Sequence, residues 1–63
     1  MREVHKLMEL AENLGKSVLK GEMKKEDALA VLNSEFRKFE NNPRKAEYME
    51  DAIRIFEDAM KGR

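Results

Sequence analysis

The chain has 63 residues, no cysteine, one histidine, and 13 basic residues against 13 acidic ones. This length allows one domain, over residues 1–63, and the lack of cysteine excludes disulfides and thiolate metal sites. The zero net charge argues against a general nucleic-acid or anionic-membrane binder, which carries a basic excess, and it leaves little repulsion between copies. Since so short a chain is marginally stable alone, we expect tight helix packing or association with another chain.

The sequence carries no feature of a membrane or secreted protein. No apolar run approaches the ~20 residues that a membrane-spanning helix needs. The first ten residues, MREVHKLMEL, place acids beside bases and lack the apolar core of a signal peptide. We therefore expect a cytoplasmic protein that does not interact with membranes.

A first helix is predicted over residues 3–20, where apolar residues recur at three- and four-residue steps. Leu10 lies at the edge of the apolar face. Gly21 provides a C-terminal stop; without that stop, the first two helices would merge and pair across a dimer. Gly15 lies within the apolar face and costs ~1 kcal/mol against alanine, so we expect a neighbouring helix to approach it closely.

A second helix is predicted over residues 25–40. Glu26 and Asp27 suit its N-terminus, because acids are favourable at the positive end of the helix dipole. Val31 flanks the apolar stripe. Glu35 falls inside the apolar arc near its edge, and we interpret it as a carboxylate at the rim of the core. The central stripe consists of Leu29, Leu32, Phe36 and Phe39.

A third helix is predicted over residues 43–61, with Asn42 as N-cap and Pro43 as first helical residue. Its apolar residues cover about half of the helical wheel, which is wider than the ~100° stripe needed for one neighbour. Tyr48 and Ile55 lie at the margin of this face. The expected core stripe consists of Met49, Ala52, Ile53, Phe56 and Met60.

The opposite face of the third helix is acidic. We interpret it as a solvated outer face, and the alternative is a docking face for a basic helix or peptide. This row of carboxylates also argues against a DNA-recognition helix, because it would repel the phosphates that approach on that side. The acids are Glu47, Glu50, Asp51, Glu57 and Asp58.

Together these segments predict an all-α fold. Short connections make sequential helices antiparallel, so the natural architecture is an up-down-up three-helix bundle with helices at about 3–20, 25–40 and 43–61. Each helix then has two neighbours, which accounts for the wide apolar arcs.

The run AEYMEDAIRIFEDAM resembles the second helix of a tetratricopeptide repeat, because Ala52, Phe56 and Ala59 have the small-large-small spacing of that motif. The resemblance covers roughly a quarter of the chain. Leu14 and Gly15 are similar to the Leu-Gly of the motif's first helix, but they belong to a different helix pair. The resemblance implies a protein-interaction module without catalytic residues, and it does not assign the chain to that family.

Residues capable of catalysis are not arranged for it in the sequence. A nucleophilic hydroxyl needs a base beside it, and Ser17 lies on a different side of the first helix from His5. His5 and Glu9 are four residues apart and could reach one ion. Bundle metal sites, however, use a Glu-x-x-His pair on each of two helices. We therefore expect no enzyme activity, no bound metal and no cofactor.

These observations favour a small protein-protein interaction module that forms a homo-oligomer or binds another protein through apolar surface. The candidate interface consists of the edge residues Leu10, Val31, Tyr48 and Ile55. The alternative is a small nucleic-acid-binding regulator that uses a basic cluster near the first turn, although acids crowd the same end of the bundle. That cluster consists of Lys16, Lys20, Lys24 and Lys25.

Overall fold

The structure consists of helices joined by two short turns. The computed structural model describes residues 2–62, and within this range the chain forms three α-helices and one 3-10 helix, with no strand. Helix α1 spans Arg2–Leu19, α2 spans Lys25–Phe36 and α3 spans Lys45–Met60. The 3-10 helix Arg37–Phe39 continues α2. The predicted all-α three-helix bundle is confirmed, and the predicted domain extends one residue beyond the described range at each end.

Helix α1 ends at the glycine that was expected to stop it. Gly21 has a φ of 77°, in the left-handed region that favours glycine. Its N–H donates to the carbonyl of Val18 at 3.0 Å, and the N–H of Glu22 donates to the carbonyl of Ser17 at 2.9 Å. These two bonds form a Schellman motif, which satisfies the last carbonyls of a helix. Helices α1 and α2 are therefore separate.

The connection between α2 and α3 differs from the prediction. The last turn expected of the second helix is the 3-10 helix, which carries the buried Phe39. Pro43 is not the first helical residue, because it lies in a turn and α3 begins two residues later. Asn42 Oδ1 accepts the N–H of Arg44 at 2.8 Å, and the Asn42 carbonyl accepts the N–H of Lys45 at 3.1 Å. Asn42 thus closes a tight turn that replaces the predicted first helical turn.

Helices α1 and α3 approach each other closely at Gly15. A Cβ atom on Gly15 would lie 2.5 Å from Ala59 Cβ and 2.5 Å from the Phe56 carbonyl oxygen. Near the end of both helices, Leu19 lies beside Gly62. Later residues of α1 thus meet later residues of α3, so the two helices run in parallel, and α1 packs more extensively on α3 than on α2. This contact confirms the close approach expected for Gly15.

The core is apolar and draws on every helix. On α3, Ala52 and Phe56 are buried as predicted, but the prediction of Ile53 was wrong: Ile53 is 36% exposed, and Ala59 is buried instead. Since the contact with Gly15 turns the Ala59 edge of α3 toward α1, Ile53 rotates to the outer margin. The buried residues are Leu7, Ala11, Leu14, Ala28, Leu32, Phe36, Phe39, Ala52, Phe56 and Ala59.

Candidate functional site

An open groove, which we name the α1–α3 groove, runs between α1 and α3. Met8 and Ile55 form its apolar floor, and both are partly buried and packed against the core. His5, Glu9 and Glu12 form its exposed rim on α1, and its volume is about 280 Å³. Among the residues described, none from α2 lines this groove. The groove is therefore a surface of the α1–α3 pair.

Helical spacing explains which residues line the groove. One edge of α1 carries side chains that are three, four or seven residues apart and therefore neighbours on the helix surface. These are His5, Met8, Glu9 and Glu12. Gly15 lies three residues after Glu12 and holds α3 close at that point. With Ala59 against Gly15, Ile55 lies on the same side of the α1–α3 pair as Met8.

Acidic side chains line the α1–α3 groove on α1 and lie beside it on α3. On α1, the side chains of Glu9 and Glu12 are 62% and 54% exposed. On α3, Asp51 precedes Ile55 by four residues and Asp58 follows it by three, so both lie along the Ile55 edge of the helix. The groove therefore combines an apolar floor with a rim of negative charge.

Cations of the same chain pair with some of these acids, but all of the pairs are solvent-exposed. Exposed pairs contribute only ~0–1 kcal/mol, and the histidine pair is ionic only when the imidazole is protonated. The acids thus remain available to a partner's cations. The pairs are His5 Nε2 with Glu9 Oε2 at 3.4 Å, Lys16 Nζ with Glu12 Oε1 at 3.9 Å, and Arg54 Nη2 with Asp51 Oδ1 at 3.5 Å.

The structure places the four predicted interface residues at the edge of the core, where all are partly buried, but it does not gather them on one surface. Ile55 lies in the α1–α3 groove. Tyr48 lies seven residues earlier along the same edge of α3, and its ring meets Phe39 edge-on with centroids 5.9 Å apart. Leu10 projects from the other flank of α1, two residues after Met8. Val31 belongs to α2.

Met8 and Glu12 were not predicted as partners of Ile55. The only signal was the recurrence of residues 5, 8, 9 and 12 along the margin of the first apolar face. That recurrence identifies one wall of a groove but not the helix that forms the other wall.

The four lysines of the predicted basic cluster are all exposed, yet they are mixed with acids. Lys16 pairs with Glu12 on the rim of the α1–α3 groove. Lys24 lies with Glu22 and Asp27 in a second depression, at the turn between α1 and α2. At this end of the bundle, phosphate groups would therefore meet acidic side chains beside the basic ones.

Residues 2–62 contain neither a cluster of metal ligands nor a membrane-spanning helix. His5 and Glu9 face each other but are largely exposed. Between residues 2 and 62, no three His, Cys, Asp or Glu side chains converge as metal ligands. In that range, no helix has both the length and the apolar character needed to cross a membrane.

The fold and the groove define a small all-α bundle with an exposed apolar groove between two parallel helices. No family model, curated protein or solved structure matches the chain. The small-large-small spacing of Ala52, Phe56 and Ala59, which resembles a tetratricopeptide helix, has a local cause in this bundle. Ala59 and the backbone of Phe56 meet Gly15, and small residues permit that close approach.

Proposed function

We propose that the chain is a protein-interaction module of the cytoplasm, which binds another protein or a second copy of itself through apolar surface and has no catalytic activity of its own. The observation that supports this is the α1–α3 groove, whose floor of Met8 and Ile55 is apolar and only partly buried. A chain of this size buries only ~60% of its unfolded surface. A partner that covers the floor removes further apolar surface from water, which favours association.

Within this proposal, Ile55 is the central contact. A partner seated over Ile55 also reaches Tyr48, which lies on the same edge of α3 two turns earlier. Leu10 and Val31 contribute only if the partner extends around the bundle to the α2 side. Substitution of Ile55 is therefore expected to weaken binding more than substitution of Leu10 or Val31.

Matched variants of α3 test the proposal. Ile55→Asp places a charge on the groove floor, whereas Ile53→Asp makes the same change on the opposite margin of α3, where Ile53 is 36% exposed. Sedimentation equilibrium measures self-association, and affinity capture from native lysate with mass spectrometry measures partner binding. We expect Ile55→Asp to abolish whichever association the wild type shows and Ile53→Asp to retain it. A strict monomer that captures no protein, or equal behaviour of the two variants, contradicts the proposal.

The nucleic-acid alternative has weaker support, because Lys16 pairs with Glu12 and Lys24 lies between acids. It predicts binding of DNA or RNA that weakens steeply as salt rises. A gel-shift titration at low ionic strength separates the two functions. A gel shift of DNA or RNA by the wild type that is lost in the Lys20→Glu and Lys24→Glu double variant would favour the nucleic-acid hypothesis.

A further inference from the structure

We infer, on the basis of the proposed function, that the α1–α3 groove binds one basic amphipathic helix of a partner protein. The partner's apolar residues would rest on Met8 and Ile55, and its Lys and Arg side chains would face the acids of α1 and α3. Grooves between packed helices accept a third helix by interdigitation of side chains. In helix-in-groove recognition, the docking helix presents apolar anchors at positions i, i+3, i+4 and i+7 to an apolar groove.

The acids around the apolar floor favour a partner helix with positive charge. Glu9 and Glu12 line the groove on α1. On α3, Asp51 precedes Ile55 by four residues and Asp58 follows it by three, so both lie on the same edge of the helix as Ile55. An acidic or neutral helix would gain the same apolar contact with Met8 and Ile55 but not the attraction of these acids. Complementary charge across an interface raises the association rate and suppresses partners of the wrong sign.

The cations already beside these acids do not block such a partner. Lys16 and Arg54 pair with Glu12 and Asp51 at 3.9 and 3.5 Å, and the His5 imidazole lies 3.4 Å from Glu9. All of these side chains are solvent-exposed. Pairs of this kind are weak and salt-sensitive. A partner's lysine or arginine therefore replaces them at little cost.

A second copy of this chain fits the groove poorly. Its α3 would bring its own acidic face toward the acidic rim. Its α1 carries three acids and three bases, so it offers no excess of positive charge to complement that rim. Its α2 is no better, because Glu26, Asp27 and Glu35 lie along that helix. A basic helix from another protein avoids this like-charge repulsion, which is why we assign the groove to a partner and not to self-association.

Two synthetic peptides test the inference directly. Each is a helix of about 16 residues, roughly four turns, with leucine at positions i, i+3, i+4 and i+7. One carries lysine at the flanking positions and the other carries glutamate at the same positions. By isothermal titration calorimetry at low salt, we expect the lysine peptide to bind at least ~10-fold more tightly, and to lose this advantage as salt rises. The largest amide NMR shifts are expected at Met8, Glu12 and Ile55.

Charge reversal on the α1 wall provides the matched variant. Glu9 and Glu12 are exposed, so the Glu9→Lys and Glu12→Lys double variant is expected to keep its helical circular dichroism. It should lose at least ~10-fold in affinity for the lysine peptide and gain affinity for the glutamate peptide. The control is the Glu22→Lys and Glu26→Lys double variant, which makes the same charge change outside the groove and should leave both affinities within ~2-fold.

The outcomes separate this inference from the proposed function. Equal binding of the two peptides, or shifts centred on Ile53, overturns the inference. A dimer in the wild type that Ile55→Asp dissociates would place a second copy in the groove, which overturns the inference and supports the proposed function. If neither peptide binds and the monomer captures no protein, both fail.

Discussion

Helices α3 and α2 pack against the rest of the bundle by different means. At the contact of α1 with α3, Gly15 faces Ala59 and the Phe56 carbonyl oxygen so closely that even one methyl group has no space. Helix α2 packs through large side chains, including Leu32 and Phe36, which are 0% and 3% exposed, and away from Gly15 α3 also contributes the fully buried Phe56. The first contact is limited by how near two backbones come, and the second by how much volume fills the space between helices.

The two contacts are therefore sensitive to opposite changes in side-chain volume. Added atoms disturb the α1–α3 contact, because a backbone carbonyl has nowhere to move. Removed atoms disturb the packing of α2, because a cavity is left. The walls of the α1–α3 groove belong to the first contact, so the shape of the groove depends on Gly15 more than on α2.

The largest effect is expected from Leu32→Ala, which removes volume on the α2 side. Leu32 is fully buried, and a change of this kind costs ~2–5 kcal/mol in the free energy of unfolding. Urea unfolding followed by circular dichroism measures the loss. Ser34→Ala is the control on the exposed side of α2 and is expected within ~0.5 kcal/mol of wild type. A loss from Leu32→Ala no larger than that of the control would mean that α2 does not depend on filled volume.

Gly15→Ala is the corresponding change in the α1–α3 contact, because it adds one methyl group. Overpacking of this kind costs ~1–3 kcal/mol, and we expect it to outweigh the ~1 kcal/mol that alanine gains in helix propensity. Asn13→Ala, on the exposed side of α1, is the control, because it raises helix propensity without a steric clash against α3. If Gly15→Ala is as stabilising as Asn13→Ala in the same unfolding assay, the two backbones are not in close contact.

The pair Ile53 and Ala59 shows what sequence patterns can and cannot predict. Features that depend on one helix at a time were predictable: the helix type, the stop at Gly21 and the need of Gly15 for a close neighbour. The rotation of α3 was not, because a helical wheel places Ile53 on the apolar face whatever lies opposite. The rotation becomes visible only in the packed structure, where Gly15 lies against Ala59.

The α1–α3 groove was beyond prediction for the same reason. Its floor joins Met8 to Ile55, which are far apart in the chain, and periodicity within one helix does not pair them. Sequence analysis identified Ile55 as an edge residue and His5 with Glu9 as neighbours on α1. No pattern in the sequence indicates the register in which α1 and α3 pack.

Gly21→Ala makes the same substitution as Gly15→Ala at a site where only the backbone conformation opposes it. Nothing lies within 4 Å of a Cβ at Gly21, but its φ is 77°. An L-residue in this region costs roughly 1 kcal/mol or slightly more. Since asparagine tolerates the left-handed conformation better, Gly21→Asn should lose less stability than Gly21→Ala in the same unfolding experiment. Equal losses for the two variants would indicate a steric cause instead.

The smallest effect is expected from Lys38→Met, which tests whether α2 is held by charge as well as by volume. Lys38 Nζ lies 3.1 Å from Glu35 Oε2, and the Glu35 side chain is 33% exposed, as expected for a carboxylate at the rim of the core. Because water still reaches Glu35, loss of its partner should cost no more than ~0.5 kcal/mol. The difference should vanish at ~1 M salt, where exposed pairs are screened. A loss above ~1 kcal/mol that persists in salt would mean that Glu35 is a buried charge, and that α2 needs this ion pair in addition to the volume of Leu32 and Phe36.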